Sequence, residues 1–209
     1  MNVKFIKSKK FLFIILAIAI LLVIISIIFS KKSYETINIG NNNLNKTLEK
    51  VEDYILNIKE YTATIEVTVN SNKNSNKYLI KQIHKEKNDE QEVLEPETIK
   101  GVKIIYKDSS LTVENSNLNL EKIYNNYPYI ESNIFWLNSF IEEYQNSEQR
   151  NITEKNEEIV MQIKRRDDKR IAVKELFLDK KTLKPTKLSI MDNSKNVMVY
   201  ILYNEIELK

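Results

Sequence analysis

The chain has 209 residues, enough for one domain of ordinary size once its first 32 residues, which carry a long apolar run, are set aside. Six of its 32 basic residues are lysines that flank this run, so the remainder has 26 basic against 29 acidic residues and lacks the basic surface that binds nucleic acid. Cysteine is absent, which excludes disulfides, thiolate nucleophiles, Cys-based zinc sites and lipid attachment through a cysteine.

The apolar run near the N-terminus predicts a membrane helix. Phe11 to Phe29 is nineteen residues without a charge, and a helix of that length spans about 28 Å, close to the hydrocarbon thickness of a bilayer. The alternative is a cleaved signal peptide, whose apolar region is shorter and ends at small residues. The only Ala-x-Ala sequence, Ala17 to Ala19, lies in the middle of the run, and cleavage there would leave ten apolar residues on the mature chain. We therefore predict an uncleaved anchor.

Lysines on either side of the run predict its orientation. Four precede it and two follow it, and the side richer in basic residues stays in the cytoplasm. We expect a cytoplasmic N-terminus at residues 1–10, a transmembrane anchor at 11–29, a polar linker at 30–43 and an extracytoplasmic domain at 44–209. This is the organisation of a single-pass protein of the cell membrane.

The outer domain is predicted to begin with a helix. Leu44, Leu48, Val51 and Ile55 recur at spacings of four, three and four, with charged residues between them. This pattern places the apolar side chains along one face of an amphipathic helix that continues to about Ile58.

Short strands separated by polar turns follow this helix. From residue 63 to 69 apolar and polar residues alternate, as in a half-buried strand, and the polar run 70–76 predicts a hairpin loop. The chain has only two glycines, so the turns must rely on Asn, Asp and Ser, and Asn tolerates left-handed backbone angles well. The further predicted strands lie at residues 77–85, 91–94, 102–106, 111–114, 118–120, 159–164, 171–178, 186–191 and 197–203.

A second helix is expected between these groups of strands. Leu137, Phe140 and Tyr144 return to helical spacing behind Ser132, a suitable N-cap. Residues 197–203 are apolar on both faces, which predicts a strand covered on both sides. Many short strands without repeating strand-helix-strand units predict an α+β fold, in which the helices lie against one face of an antiparallel sheet.

Residues that can act in catalysis are present, but their spacing in the sequence is not that of a catalytic site. His84, the only histidine, stands among charged residues, and we expect it at the surface. The paired acids at 142–143, 157–158 and 167–168 are of the kind that glycosidases use, but adjacent side chains point in different directions, which favours solvated faces. Neither glycine belongs to a phosphate-binding loop, and no EF-hand or His-x-x-His spacing occurs. We predict no enzymatic activity, no cofactor and no metal.

Two groups of residues are candidates for partner contacts. The first is the predicted hairpin loop, and the second is a set of six aromatic residues between Tyr124 and Phe140. Tyr and Trp are enriched in interface hot spots, but aromatic residues also dominate core packing, and both interpretations stay open. The predicted contact residues are Asn72, Lys73, Asn74, Tyr127, Tyr129 and Trp136.

The C-terminal strands resemble the closing hairpins of the lipoprotein-carrier (LolA-like) superfamily. The resemblance rests on LFLDKKTLKPTKL at residues 176–188, in which a strand, an Asp-x-x-Thr-x-x-Pro turn and a second strand follow one another, and on Met191-Asp192 and Tyr203-Asn204. Pro185 suits the start of a strand because it lacks an N–H. The resemblance implies a curved antiparallel sheet, a half-barrel, packed on about two helices.

Three segments, at residues 67–78, 96–102 and 115–120, are similar to GerS-type germination lipoproteins of spore-forming clostridia. This similarity implies a non-catalytic role in spore-cortex modification, in the forespore envelope, by binding and activating a zinc-dependent N-acetylmuramoyl-L-alanine amidase. Family members carry an acylated cysteine, whereas in this chain the transmembrane helix would replace the lipid anchor. The alternative is a carrier or hand-off protein for lipid, lipoprotein or another apolar ligand, although an anchored protein cannot shuttle across an aqueous gap.

Overall fold

The structure, a computed structural model, describes residues 44–71, 73–86, 88–127, 134–165 and 171–209. One antiparallel sheet and two α-helices account for most of these residues. In chain order the elements are α1 (Leu44–Leu56), β1 (Tyr61–Asn70), β2 (Ser75–Lys85), β3 (Asn88–Glu95), a 3₁₀ turn (Glu97–Ile99), β4 (Val102–Lys107), β5 (Ser110–Asn115), β6 (Leu120–Asn125), α2 (Leu137–Asn146), β7 (Arg150–Lys155), β8 (Glu158–Lys164), β9 (Val173–Asp179), β10 (Pro185–Met191) and β11 (Val197–Leu208).

The strands lie in the order β6-β5-β4-β3-β2-β1-β11-β10-β9-β8-β7, and every neighbouring pair is antiparallel. Most neighbours in space are neighbours in sequence, joined by hairpins, and the pairing of β1 with β11 unites the two halves of the domain. The sheet is open, with β6 and β7 at its edges. This confirms the predicted antiparallel α+β fold.

The predicted anchor at residues 11–29 and linker at 30–43 lie outside the described residues. Within the described ranges no helix is long and apolar enough to cross a membrane. The transmembrane anchor therefore remains a prediction.

Three expectations about single elements are wrong, and one strand was not predicted. The strand predicted at residues 118–120 is displaced, because Leu118 and Asn119 form a turn, with Asn119 at φ 51°, and β6 starts only at Leu120. The N-cap of α2 is Trp136 and not Ser132. Strand β7 was not predicted, since it lacks a clear alternation of apolar and polar residues. Strand β11 is not covered on both sides, because buried and partly exposed residues alternate along it up to residue 203.

Asparagine and aspartate make the tight turns, as the scarcity of glycine predicts. Asp108 and Ser109 both have positive φ, 49° and 62°, as the two-residue turn of a twisted hairpin requires. Asn126 and Asn156 adopt positive φ as well, 54° and 56°. These residues replace glycine at turns because a short polar side chain tolerates left-handed angles.

The Asp-x-x-Thr-x-x-Pro segment is a hydrogen-bonded turn between β9 and β10. Oδ1 of Asp179 accepts hydrogen bonds from the backbone N–H of Lys181 (3.0 Å), the backbone N–H of Thr182 (2.7 Å) and the Thr182 hydroxyl (2.8 Å). These bonds hold the pKa of Asp179 below its ordinary value, with the contribution of Thr182 the largest. Pro185 is the first residue of β10, as its missing N–H predicts.

The core lies on one face of the sheet, here called the inner face. The strand register places Tyr61, Gln82 and Lys174 on it; Tyr61 and Lys174 contact α2, and Gln82 contacts Phe135, two residues before α2. The opposite, outer face of β1 carries Thr62, Thr64, Glu66 and Thr68. The fully buried side chains of the core include Val51, Ile55, Ile65, Val67, Leu137, Phe140, Ile159, Met161, Leu176, Ile190 and Ile201.

Helix α2 is tied to the sheet at its N-terminus. The hydroxyl oxygen of Tyr61 accepts a hydrogen bond from the backbone N–H of Leu137 (3.2 Å), and the hydroxyl donates to Oδ1 of Asn138 (3.5 Å). Trp136, at the N-cap position, makes no capping hydrogen bond with its side chain. A tyrosine of β1 therefore satisfies one of the N–H groups at the start of the helix that have no partner within it.

Candidate binding surfaces

The β1–β2 loop presents two of its three predicted contact residues to solvent. Lys73 and Asn74 are exposed, and Asn72 lies outside the described residues. The loop is closed by Ser71, whose backbone N–H donates to the carbonyl oxygen of Asn74 (2.8 Å) and whose hydroxyl oxygen accepts the Asn74 N–H (3.1 Å). The side chains of Lys73 and Asn74 are thus displayed by a short, hydrogen-bonded turn.

The aromatic residues between 124 and 140 divide into a core group and a surface group. Trp136 is 1% exposed and Phe140 is also buried. Because Trp136 is enclosed in the core, it offers no surface to a partner, and its prediction as a contact residue is corrected in favour of packing. Tyr129 lies outside the described residues.

Tyr124 and Tyr127 form the surface group, at the end of β6. Their ring centroids are 6.3 Å apart. Tyr127 is half-buried and fixed through its backbone, because its N–H donates to the carbonyl oxygen of Ser109 (2.9 Å) and its carbonyl oxygen accepts the Tyr106 hydroxyl (3.4 Å). Of the predicted aromatic contacts, Tyr127 is the one that the structure places at a surface.

Strands β4, β5 and β6, residues 102–125, extend the sheet beyond its packed part and are here called the wing. The strand register aligns its inner-face side chains with those of the core. They remain partly or largely exposed except for Leu111, and Leu120 is 61% exposed. The inner-face side chains of the wing are Val102, Ile104, Tyr106, Leu111, Val113, Asn115, Leu120, Lys122 and Tyr124.

The two edges of the sheet differ in how they meet solvent. Strand β6 is exposed along its whole length, and Ile123 on its outer face is 56% exposed. At the opposite edge, Arg150 and Glu154 of β7 are engaged, Arg150 through a hydrogen bond to the Gln145 carbonyl oxygen (2.8 Å) and Glu154 through an ion pair with Lys180. Charged, occupied edges resist strand addition, whereas β6 leaves backbone groups and apolar side chains accessible.

Between the wing and the packed core lies a row of polar residues that sequence reasoning missed. His84 is not at the surface as predicted, because its side chain is 11% exposed and its Nδ1 contacts Oδ1 of Asp89, itself largely buried. The ring of His84 lies 5.2 Å from that of Tyr61, centroid to centroid. The register explains this assembly, since Tyr61, His84 and Asp89 occupy adjacent positions across β1, β2 and β3.

Burial changes the ionisation of the groups around this row. It raises the pKa of Tyr61 well above the ordinary value of a phenol. Burial, together with the charge of Asp89, also raises the pKa of Glu142 on α2. A second pair in this region, Gln82 and Gln91, is buried, and Gln82 donates to the carbonyl oxygen of Phe135 (3.1 Å). The row joins the sheet to α2 through polar contacts.

The described part of the chain contains no cluster of three or more His, Asp or Glu residues that could hold a metal ion. The two acids of the pair at 142–143 also have different contacts. Glu143 binds Lys174 and Arg165, whereas Glu142 lies near Asp89. Residues 167–168 lie outside the described ranges.

The described residues form an open antiparallel sheet, with helices on one part of its inner face and an uncovered apolar wing. The chain belongs to the YdcC-like family of sporulation proteins, whose family model matches residues 9–208. No curated protein matches the chain.

Solved structures are similar to the chain at low sequence identity. The GerS lipoprotein of Clostridioides difficile, in its complex with the CwlD amidase, aligns with a TM-score of 0.52 and 20% identity, covering 82% of this chain and 99% of that one. MucB aligns with a TM-score of 0.52 and 10% identity, covering 78% and 59%. A LolA superfamily protein from Nitrosomonas europaea aligns with a TM-score of 0.41 and 12% identity, covering 78% and 91%.

These comparisons confirm the predicted resemblance to GerS-type proteins at the level of the fold. The chain is a member of a sporulation family, and the absence of enzymatic activity remains a prediction from the sequence.

Proposed function

We propose that this chain is a membrane-anchored, extracytoplasmic binding protein that docks onto a cell-wall amidase during spore formation or germination and raises its activity. Its family is that of a sporulation protein, and GerS, which shares its fold, is seen in complex with an amidase. The anchor at residues 11–29 would hold the N-terminus in the cytoplasm and keep the domain beside the outer face of the membrane, in the forespore envelope.

The wing is the surface that carries the proposal. Its inner face is apolar and aromatic but incompletely covered, and its edge strand exposes Leu120, Ile123 and Tyr124 to solvent. Side chains of this size and type are the ones that form the buried centre of protein interfaces. The edge also offers backbone hydrogen-bonding groups to an extended segment of a partner. An amidase surface that fits this region would bury apolar side chains now exposed to water.

The direct test mixes the purified full chain with the N-acetylmuramoyl-L-alanine amidase encoded by the same genome. We expect a complex in size-exclusion chromatography and faster release of stem peptides from purified peptidoglycan. An amidase that neither binds the chain nor changes its rate would contradict the proposal.

A substitution in the wing tests the surface separately from the partner. Leu120→Lys places a charge on the exposed inner face of the wing, where Leu120 is 61% exposed, and should weaken binding by about 2 kcal/mol or more, roughly thirtyfold. Val197→Lys is the matched control, because Val197 is also an exposed aliphatic residue, 37% exposed, but lies at the start of β11, outside the wing. Equal effects of the two substitutions would show that the wing is not the interface.

A carrier for an apolar ligand is the second candidate. It is favoured by the apolar inner face of β4 and β5, where Val102, Ile104 and Val113 are half-buried. Organic extraction of the purified chain followed by mass spectrometry distinguishes the two functions. A stoichiometric lipid that is lost in an Ile104→Asp variant would favour the carrier over the amidase-binding protein.

A further inference from the structure

A cleft of about 700 Å³ opens on the outer face of the sheet, on the side away from the inner face of the wing. It lies where β11 passes β1 and is bordered by β2 and by the turn between β9 and β10. The cleft coincides with a β-bulge, because Thr64 pairs with Glu205 while the next residue, Ile65, pairs with Tyr203. Asn204 is the extra residue of this bulge, and bulges often redirect side chains beside functional sites.

The strand register arranges the charges of the cleft across a floor of threonines. Lys81, Thr64 and Glu205 occupy one row across β2, β1 and β11. In the next row Glu207 lies opposite Thr62. Since neighbouring strands are about 4.8 Å apart, the backbone positions of Lys81 and Glu205 are separated by about 10 Å. An ammonium group therefore stands on one side of the floor and carboxylates stand on the other.

The charged side chains of the cleft do not neutralise one another. On the same face of the sheet, Lys77 of β2 pairs with Glu66 of β1 at 3.5 Å, and Lys103 of β4 pairs with Glu90 of β3 at 3.7 Å. By contrast, Lys81, Lys184, Glu205 and Glu207 form no ion pair with any described residue. Their charges are available to a ligand.

The cleft also has a rigid wall. Asp179 fixes the turn that carries Thr182 and Lys184, and Leu183 in this turn has φ 56°, an unusual angle for a bulky residue. Because hydrogen bonds already fix this turn, less conformational entropy is lost when a ligand binds beside it.

From these features we infer that the cleft is a binding site for a short zwitterionic peptide, one that carries both a free amine and a free carboxylate. Glu205 and Glu207 would bind the ammonium group, and Lys81, across the threonine floor, would bind the carboxylate. The hydroxyls of Thr62 and Thr64 supply hydrogen bonds to the peptide between its ends. Three extended residues span about 10 Å, which matches the separation of the charged groups, and the volume is that of a small-ligand site.

The test uses the full chain, isotope-labelled and solubilised in detergent, titrated by NMR with L-trialanine at neutral pH. We expect saturable shifts of the backbone amides of Thr62, Thr64 and Asn204. Trialanine with an acetylated N-terminus and an amidated C-terminus has the same shape but neither charge, so it should bind at least about tenfold more weakly, the value of one charged hydrogen bond. Equal binding of the two peptides, or no saturable shift in the millimolar range, would overturn the inference.

Variants assign the charges to their roles. Lys81→Gln and Glu205→Gln should each weaken trialanine binding about tenfold, while Lys77→Gln, on the same strand and face as Lys81 but outside the cleft, should leave it unchanged. If Lys77→Gln weakens trialanine binding as much as Lys81→Gln does, binding depends on net charge alone and the proposed site is refuted. Because the cleft and the inner face of the wing are on opposite sides of the sheet, the amidase test and this test can fail independently.

Discussion

Replacement of Tyr61 by Phe tests the contact that joins the sheet to α2. The substitution removes one oxygen atom and keeps the buried ring. The lost oxygen accepts the Leu137 N–H at 3.2 Å and donates to Asn138 at 3.5 Å, and the helix has no capping side chain of its own. In Tyr61→Phe the first N–H of α2 would be buried without a partner, since no other described group bonds to it.

The structure sets the expected magnitude. An unsatisfied buried donor costs about 1–3 kcal/mol, and loss of a helix cap costs about 0.5–2 kcal/mol, so we expect a loss of about 1.5 kcal/mol in the free energy of unfolding. With a urea dependence of about 2 kcal/mol per molar, the midpoint should fall by about 0.75 M at unchanged slope. Trp136 is the only tryptophan and lies buried at the start of α2, so its fluorescence reports unfolding at this contact.

Tyr203→Phe is the matched control. Tyr203 is buried on the same face of the sheet, but its hydroxyl has no hydrogen-bond partner among the described residues. Removal of an unsatisfied hydroxyl should change stability by less than about 0.5 kcal/mol or increase it slightly. If the two variants shift the urea midpoint equally, the hydroxyl of Tyr61 does not anchor the helix.

Two further predictions concern the acid range and the topology. The hydrogen bonds to Asp179 lower its pKa, so their contribution to the free energy of unfolding is complete above the ordinary carboxyl pKa and is lost as the pH falls through the lowered value. In Asp179→Asn the urea midpoint should therefore depend less on pH in this range. If the midpoint of the variant falls with pH in parallel with that of the unmodified chain, the assignment is contradicted. Because the chain has no cysteine, Lys73→Cys should react with a membrane-impermeant maleimide on intact cells, whereas Asn2→Cys should react only after lysis; the reverse pattern would refute the predicted orientation.

The fold was predictable where side-chain burial alternates along the chain. In β1 the apolar residues from Ala63 to Val69 face the core at every second position, apart from the partly exposed end, and the sequence shows this directly. The edge strands β6 and β7 lie beside only one neighbour, so burial imposes little pattern on them, and one was displaced and the other missed. The start of α2 was misplaced because Tyr61, which bonds its first N–H, is 76 positions away in sequence.

The candidate site was harder to predict because it depends on contacts across strands. His84 stands beside Lys85 and Glu86, which suggested exposure, but it occupies the same face as Ile80 and Gln82 at alternate positions. That alternation was the available signal for its burial. Its partner Asp89 comes to it only through the pairing of β2 with β3. The clustering of aromatic residues correctly marked a region, but it could not separate the buried Trp136 from the half-buried Tyr127.

The polar row at His84, Asp89, Gln82 and Gln91 explains why stability and binding are separable in this fold. A continuous apolar inner face would let the core extend into the wing, and exposed side chains such as Leu120 would then be drawn under the helices. Buried polar groups that must keep their hydrogen bonds interrupt this packing at β2 and β3. The wing is consequently held mainly by strand pairing, and its apolar side chains remain accessible. A surface substitution there can alter partner binding while the helices, Tyr61 and the core of β8 to β11 keep the domain folded.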